Sequence, residues 1–177
     1  MKKLLVIGAT SHRESINVSL ARFAGSLDSG SDLNVLDLNE FEMPIYSQDR
    51  EEADGIPEAA EKFVDQVKAS DGIVISLAEH NGSYTAAFKN IFDWASRHQQ
   101  KVWSDKPMLV MATSPGGRGG ATVLDAAAAT FPHLGGNVVA TFSLPSFYDN
   151  FEDGSGITNA ELKFSLDEAV AKFGETL

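Results

Sequence analysis

Hydroxyl and amide side chains are concentrated in residues 8–17, which follow the first apolar run of the chain and read Gly-Ala-Thr-Ser-His-Arg-Glu-Ser-Ile-Asn. A phosphate monoester needs several hydrogen-bond donors, and the backbone N–H groups at a helix N-terminus supply donors together with a positive potential. The segment matches neither the Walker A sequence nor G-x-G-x-x-G. It favours a phosphate-binding loop, and the simpler interpretation is that Ser15 or Asn17 only caps the helix that follows.

Two more segments combine glycine with polar residues after an apolar run. Residues 77–94 read L-A-E-H-N-G-S-Y-T-A-A-F-K-N-I-F-D-W, and a Gly-Gly pair occupies positions 116 and 117. The stretch from Glu79 to Trp94 resembles the E-Y-N-G-S…L-K-N…D-W signature of the NADPH-dependent FMN reductase family, which includes quinone, chromate and azo-dye reductases. Residues 8–17 resemble the G-S-x-R-x-x-S-x-N phosphate loop of that family, and the Gly-Gly pair resembles its third, glycine-rich loop.

The resemblance implies that the protein binds FMN and uses NADPH or NADH as co-substrate. Residues of the first loop would contact the FMN phosphate, whereas residues of the second and third loops would surround the isoalloxazine ring. Glycine in these loops would let the backbone approach the ring closely. On the matching positions of this sequence, the implied FMN-binding residues are Thr10, His12, Ser15, Asn17, Ala78, Glu79, His80, Asn81, Gly82, Ser114, Gly116 and Gly117.

Three of these positions depart from the family pattern. His12 stands where the family usually has Arg, Ala78 replaces Pro, and His80 replaces the Tyr beside the ring. A protonated His12 would donate a charge-assisted hydrogen bond to the phosphate, and an adjacent phosphate dianion would favour that protonation state. The alternative is that His12 faces solvent while Arg13 or backbone amides hold the phosphate.

The resemblance implies an enzyme that transfers hydride from NAD(P)H through bound FMN to a small acceptor, which could be a flavin, a quinone, an azo compound or a nitro compound. Because the flavin supplies the redox chemistry and the protein supplies position and electrostatics, we assign no catalytic side chain. Two alternatives stay open: a flavodoxin-like carrier of single electrons, and a flavin-free homologue without reductase activity.

Composition limits the other functions that the protein could have. Lys and Arg total 14 against 25 Asp and Glu, a net charge of −11, and no basic run exists, so we expect no nucleic-acid partner. There is no cysteine and no His spacing typical of a metal site, so we predict no metal. The apolar run at residues 4–7 is too short for a signal peptide, and we expect a cytoplasmic protein with no membrane partner.

The elements that position these loops follow from apolar patterning. Continuous apolar runs at residues 4–7, 73–77, 108–112 and 138–142 predict buried parallel strands, and the alternating run 33–38 predicts an edge strand. Helical periodicity between and after them predicts five helices, the last preceded by a Thr-x-x-Glu capping box at Thr158. The alternation predicts one flavodoxin-like α/β/α domain over residues 1–177, with five parallel strands in the order 2-1-3-4-5.

Two other features have competing interpretations. Asp93 and Arg97 are spaced i, i+4 on one helix, which predicts a structural ion pair more than a catalytic one. The aromatic segment 145–151 is either a partner surface, including a lid over a neighbouring subunit's flavin, or a loop packed on its own domain. The family resemblance implies dimers or tetramers built across the sites, so we expect a homodimer or homotetramer.

Overall fold

A parallel β-sheet forms the centre of the protein, whose 177 residues are all described by a computed structural model. Its strand order is β2-β1-β3-β4-β5, which confirms the order predicted from the sequence. Every neighbouring pair in this sheet is parallel, and parallel strands need crossover connections, which the helices here supply. The strands are β1 (Lys2–Ala9), β2 (Ser31–Leu36), β3 (Gly72–Leu77), β4 (Pro107–Thr113) and β5 (Asn137–Leu144).

Seven helices, two 3-10 turns and a small hairpin complete the fold. The five predicted helices are all present, and two short ones were not predicted. Helix α2 has no buried residue and therefore no apolar period, and α6 is only four residues long. The helices are α1 (Ile16–Ser26), α2 (Gln48–Asp54), α3 (Glu58–Ala69), α4 (Ala86–His98), α5 (Ala121–Thr130), α6 (Phe147–Asn150) and α7 (Ala160–Gly174); the 3-10 turns are Leu38–Phe41 and Phe131–Leu134, and the hairpin pairs β6 (Phe151–Glu152) with β7 (Gly156–Ile157).

The sheet separates two apolar cores. Leu5 and Ile7 of β1 belong to a cluster of 25 buried residues under α3, α4 and α5, whereas Leu4 and Val6 belong to a cluster of 15 under α1 and α7. Strands covered on both faces are apolar at successive positions, which explains the continuous runs in the sequence. None of the helices combines the length and the apolar character needed to cross a bilayer.

Two predicted boundaries are corrected by the structure. The edge strand covers Ser31–Leu36 and not residues 33–38, because Leu38 begins a 3-10 turn that buries its side chain. The last helix is capped by Asn159 and not by Thr158: the Asn159 side chain accepts hydrogen bonds from the N–H groups of Glu161 and Leu162. A side-chain oxygen of either residue type can serve this purpose, and the sequence pattern marked the neighbouring position.

Candidate functional site

The loops after β1, β3 and β4 meet at the carboxyl edge of the sheet, where ligands bind in open α/β folds. They surround a cavity of about 370 Å³ at the point where the strand order reverses between β1 and β3. Eight of the twelve predicted site residues line this cavity, and Asn81, Gly82, Gly116 and Gly117 do not. The lining residues are Thr10, Ser11, His12, Glu14, Ser15, Ile16, Asn17, Ala78, Glu79, His80, Thr113, Ser114, Pro115 and Tyr148.

The first loop presents hydrogen-bond donors at the N-terminus of α1. Ser15 is the N-cap residue, and its hydroxyl oxygen accepts the Asn17 N–H at 3.1 Å. The Thr10 hydroxyl oxygen accepts the His12 N–H at 3.1 Å. Both hydroxyls therefore keep their own protons for donation. The capping interpretation of Ser15 is confirmed, and it leaves room for a ligand at the same hydroxyl.

The two basic residues of the loop have partners within the protein. His12 Nδ1 accepts the Glu14 N–H at 3.2 Å, which leaves Nε2 as the ring atom that can donate to a ligand. The Arg13 Nε–H donates to Asp37 at 2.8 Å, and this bond, with hydrogen bonds from Asn39, lowers the pKa of the Asp37 carboxyl to about 2. Arg13 therefore ties the loop to the end of β2.

Asn17 faces the protein interior, and only 2 % of its surface is exposed. Its Oδ1 accepts the Ser76 hydroxyl at 2.7 Å and the Thr113 N–H at 3.1 Å, and its Nδ2 donates to the Thr113 carbonyl at 3.2 Å. The phosphate contact stays a prediction: three of the four hydrogen bonds that this amide can make join α1 to β3 and β4, and one Nδ2 hydrogen has no acceptor in the protein. We assign Asn17 a positioning role.

The second loop contains a tight turn at residues 80–83. The N–H of His80 donates to the Ser83 carbonyl at 2.9 Å, and the Ser83 N–H donates back to His80 at 3.1 Å. Asn81 and Gly82, between them, both have positive φ angles of 53° and 72°. This is the arrangement of a type I′ turn, for which Asn-Gly is the preferred pair. Turn geometry therefore accounts for these two residues, and neither lines the cavity.

Glu79 connects the second loop to the third. Its carboxylate accepts the N–H of Val123 at 2.8 Å, in the first turn of α5. The residue that precedes this helix, Gly120, has no side chain with which to cap it. An N–H in the first turn has no acceptor within its own helix, so a carboxylate from another loop acts as the cap and complements the helix dipole.

Gly116 and Gly117 of the third loop are exposed and border open space. A Cβ atom added to Gly116 or Gly117 would have no heavy atom within 4 Å, and neither residue has a left-handed φ angle. Gly119 and Gly120 differ, because both have positive φ angles and a Cβ there would meet neighbouring atoms within 3 Å. The fold therefore requires glycine at 119 and 120 but not at 116 and 117.

The K-N…D-W part of the second motif holds a neighbouring segment, residues 43–46. Asn90 and Trp94 of α4 both donate to the Pro44 carbonyl, at 3.1 and 2.7 Å. The expected Asp93–Arg97 pair is wrong: Asp93 pairs with Lys89 at 2.7 Å, and Arg97 donates to Glu51 of α2. The sequence could not reveal this partner, because residues 48–54 have no apolar period that would predict a helix.

The sequence did not single out Tyr148 or Pro115 as individual lining residues. The signal for Tyr148 was the aromatic segment 145–151. In the structure Phe147 is buried and Phe151 half-buried, so the interpretation as a loop packed on its own domain holds for both. Tyr148 alone stays exposed, at the rim of the cavity of its own chain.

Residues 1–149 match the sequence profile of the family described as NADPH-dependent FMN reductase. The chain belongs to this family. It is 37% identical over 118 residues to a 2-hydroxy-1,4-benzoquinone reductase of Burkholderia sp., a match that covers 66% of this chain. It is 32% identical over 115 residues, 64% of this chain, to an NAD(P)H-dependent FMN reductase of Pseudomonas aeruginosa. The matches cover 63% and 60% of these relatives, less than two thirds of their length.

Solved structures share the fold of this chain. The flavoenzyme NAD(P)H:(acceptor) oxidoreductase FerB of Paracoccus denitrificans superposes with a TM-score of 0.75 over 99% of both chains, at 24% identity. A flavodoxin of Pseudomonas aeruginosa superposes with a TM-score of 0.57 over 99% of this chain and 98% of its own, at 16% identity. The architecture is therefore flavodoxin-like.

Proposed function

We propose that the protein binds one FMN non-covalently at the carboxyl edge of its sheet and acts as an NAD(P)H-dependent oxidoreductase. The acceptor would be a small molecule such as a quinone, a free flavin, an azo compound or a nitro compound. The observation that carries this proposal is the convergence of three loops with the family's motifs on one cavity of about 370 Å³. Membership of the NADPH-dependent FMN reductase family supports the same cofactor and reaction.

The first loop fits a phosphate monoester without a permanent positive charge in direct contact. The hydroxyls of Thr10 and Ser15 each retain a donor, and the backbone N–H groups of Ser11 and Ile16 have no acceptor in the protein. These donors lie at the N-terminus of α1, whose dipole favours an anion. This arrangement explains how a chain with a net charge of −11 could bind an anionic cofactor.

The third loop fits the flat ring system. Gly116 and Gly117 border open space that a side chain would fill, and the fold gives no other reason for glycine at these positions. Ser114 and Ala78 line the adjoining cavity. The backbone of the third loop would therefore support one side of the ring, while the other side stays accessible to the co-substrate and the acceptor.

When bound, FMN supplies hydride acceptance from the reduced nicotinamide and electron transfer to the acceptor. The residues of the chain bind and orient the ligand. Glu79, a carboxylate that lines the cavity, accepts the Val123 N–H and so positions the second and third loops against each other. We therefore retain the interpretation that no side chain acts as a catalytic acid or base.

Flavin titration and anaerobic reduction test this proposal. We expect saturable quenching of FMN fluorescence at one FMN per chain, and bleaching of the bound flavin by NADPH or NADH in a stopped-flow instrument. Gly117→Ala should weaken FMN binding about tenfold, equal to about 1.4 kcal/mol, because its methyl group enters the space reserved for the ring. Gly174→Ala, at an equally open position on α7, is the matched control. Absence of saturable binding would contradict the proposal, and binding without reduction by either nicotinamide would favour the electron carrier.

We also propose that residues 1–177 act as one domain, that the protein is cytoplasmic, and that it assembles as a homodimer or homotetramer. The family resemblance supports the oligomer, and Ile45, 75 % exposed on the segment that α4 holds, is a candidate contact between subunits. Light scattering should give a mass of about two or four times 19.0 kDa at micromolar concentration. A mass equal to that of one chain would contradict the oligomer.

A further inference from the structure

Tyr148 is an exposed aromatic residue between two anchored ones. Its surface is 72 % exposed, whereas the preceding residue, Phe147, is 6 % exposed. The Phe147 ring stacks on Phe151 with centroids 4.7 Å apart and planes at 21°, and Phe151 meets the edge of Phe23 at 5.6 Å. These contacts fix the short helix α6 to the core under α1. The Tyr148 ring meets the Phe147 ring edge-on, with centroids 5.5 Å apart, and the rest of its surface remains free for another contact.

The same segment is hydrogen-bonded to the third loop of the candidate site. The Ser146 N–H donates to the Gly116 carbonyl at 3.0 Å, and the Phe147 N–H donates to the Ser114 carbonyl at 3.1 Å. Residues 146–147 and the third loop therefore form one unit, and the position of Tyr148 relative to this loop is set by backbone bonds on one side and by aromatic packing on the other.

The backbone before Tyr148 is strained. Ser146 has φ 46° and ψ 60°, the left-handed conformation that non-glycine residues rarely adopt. Such residues persist only where the surrounding structure holds them, and they concentrate at ligand sites. Here the turn sends Phe147 into the core and leaves Tyr148 at the rim of the cavity.

The second loop also lacks a tyrosine at the position where the family signature has one. Position 80 carries His in place of Tyr, and Tyr148 lines the same cavity as Ala78, Glu79 and His80. We propose that Tyr148 packs its ring against the isoalloxazine of bound FMN and so supplies, from the segment after β5, a tyrosine contact that the second loop does not provide. This inference rests on the proposed function. It assigns Tyr148 a binding and positioning role and no chemical step.

A stacked aromatic contact changes a dissociation constant by about three- to tenfold. The test compares the binding of FMN and riboflavin to the wild-type protein, Tyr148→Ala and Tyr148→Phe, with Phe164→Ala as control. Phe164 is also an exposed aromatic residue, 63 % exposed, but it lies on α7 outside the cavity. Circular dichroism melting first establishes that each variant is folded.

We expect Tyr148→Ala to weaken both flavins by the same three- to tenfold factor, because the ring system is common to both. Tyr148→Phe should bind FMN as the wild type does, but with stronger emission from the bound flavin, because a phenol donates an electron to excited flavin and a phenyl ring does not. Equal binding by Tyr148→Ala and Phe164→Ala would overturn the inference. So would a loss confined to FMN and shared by Tyr148→Phe, which would place the hydroxyl on the phosphate.

The result for the wild-type protein separates the two proposals. Failure of the wild type to bind either flavin contradicts the proposed function and this inference together. Normal binding by the wild type, with no effect of either Tyr148 substitution on affinity or emission, contradicts the inference alone.

Discussion

Removing the Glu79 carboxylate should destabilise the first turn of α5. The carboxylate is the acceptor of the Val123 N–H, at 2.8 Å, and the preceding Gly120 cannot replace it. A lost N-cap costs about 0.5–2 kcal/mol, and a hydrogen bond to a charged group contributes about 1.5–3 kcal/mol. Because Glu79 is only half-buried, we expect Glu79→Ala to lose about 1–2 kcal/mol.

In a chain of this size each kcal/mol shifts the melting temperature by about 2–4 °C, so Glu79→Ala should melt about 2–8 °C below the wild type. Glu79→Gln keeps an acceptor oxygen and loses only the charge, which is worth about 0.3–1 kcal/mol at a helix N-terminus, and should therefore melt about 1–4 °C lower. Glu168→Ala, which removes an exposed glutamate from α7, serves as the control.

Thermal melting without flavin measures these shifts, and hydrogen exchange locates them. The Val123 amide should exchange faster in Glu79→Ala than in the wild type, whereas amides in the centre of α1 should be unaffected. If Glu79→Ala melts with Glu168→Ala and leaves Val123 exchange unchanged, the Glu79 carboxylate does not cap α5, and its use as a positioning group is refuted.

Three further predictions concern the first loop and its supports. Asn17→Ala should leave buried groups of Ser76 and Thr113 without a partner. The free energy of unfolding, measured in urea, should fall by about 1–3 kcal/mol for each such group. A loss no larger than that of an exposed Asn→Ala substitution would contradict the internal role of Asn17. Gly8→Ala should lower the free energy of unfolding in urea by about 1–3 kcal/mol, because the added Cβ would lie 2.4 Å from a methyl carbon and 2.8 Å from the Cα of Val18. A variant as stable as the wild type would show that α1 can move away from β1 at little cost. The pKa of Asp37 is lowered from 3.8 to about 2 in the folded protein, so its contribution to stability is present above about pH 4 and is lost as the pH falls towards 2. The difference in unfolding free energy between the wild type and Asp37→Asn should therefore shrink over that range. A constant difference would refute the ion pair as the cause.

The order of the elements and the meeting of three loops at one edge of the sheet could be predicted from the sequence alone. Continuous apolar runs such as residues 73–77 and 108–112 indicated strands buried on both faces, because a parallel sheet covered by helices on both sides leaves no polar face. Alternation with helices then restricted the sheet order, and the order placed the three loops at one edge. These inferences succeeded because each depends on local periodicity and on general rules of chain topology.

Side-chain direction and partner choice were decided only by the tertiary structure. Glu79 accepts an N–H 44 residues away along the chain, and Asn17 contacts a strand residue 96 positions away. Arg97 pairs with Glu51 of α2, a helix whose sequence has no apolar period. Tyr148 lines the cavity because Ser146 adopts a left-handed backbone conformation that no sequence pattern predicts. Motif spacing predicts which residues share a loop. Which of them point into the protein and hold the loop, and which stay exposed to a ligand, depends on the hydrogen-bond partners that the packed fold provides.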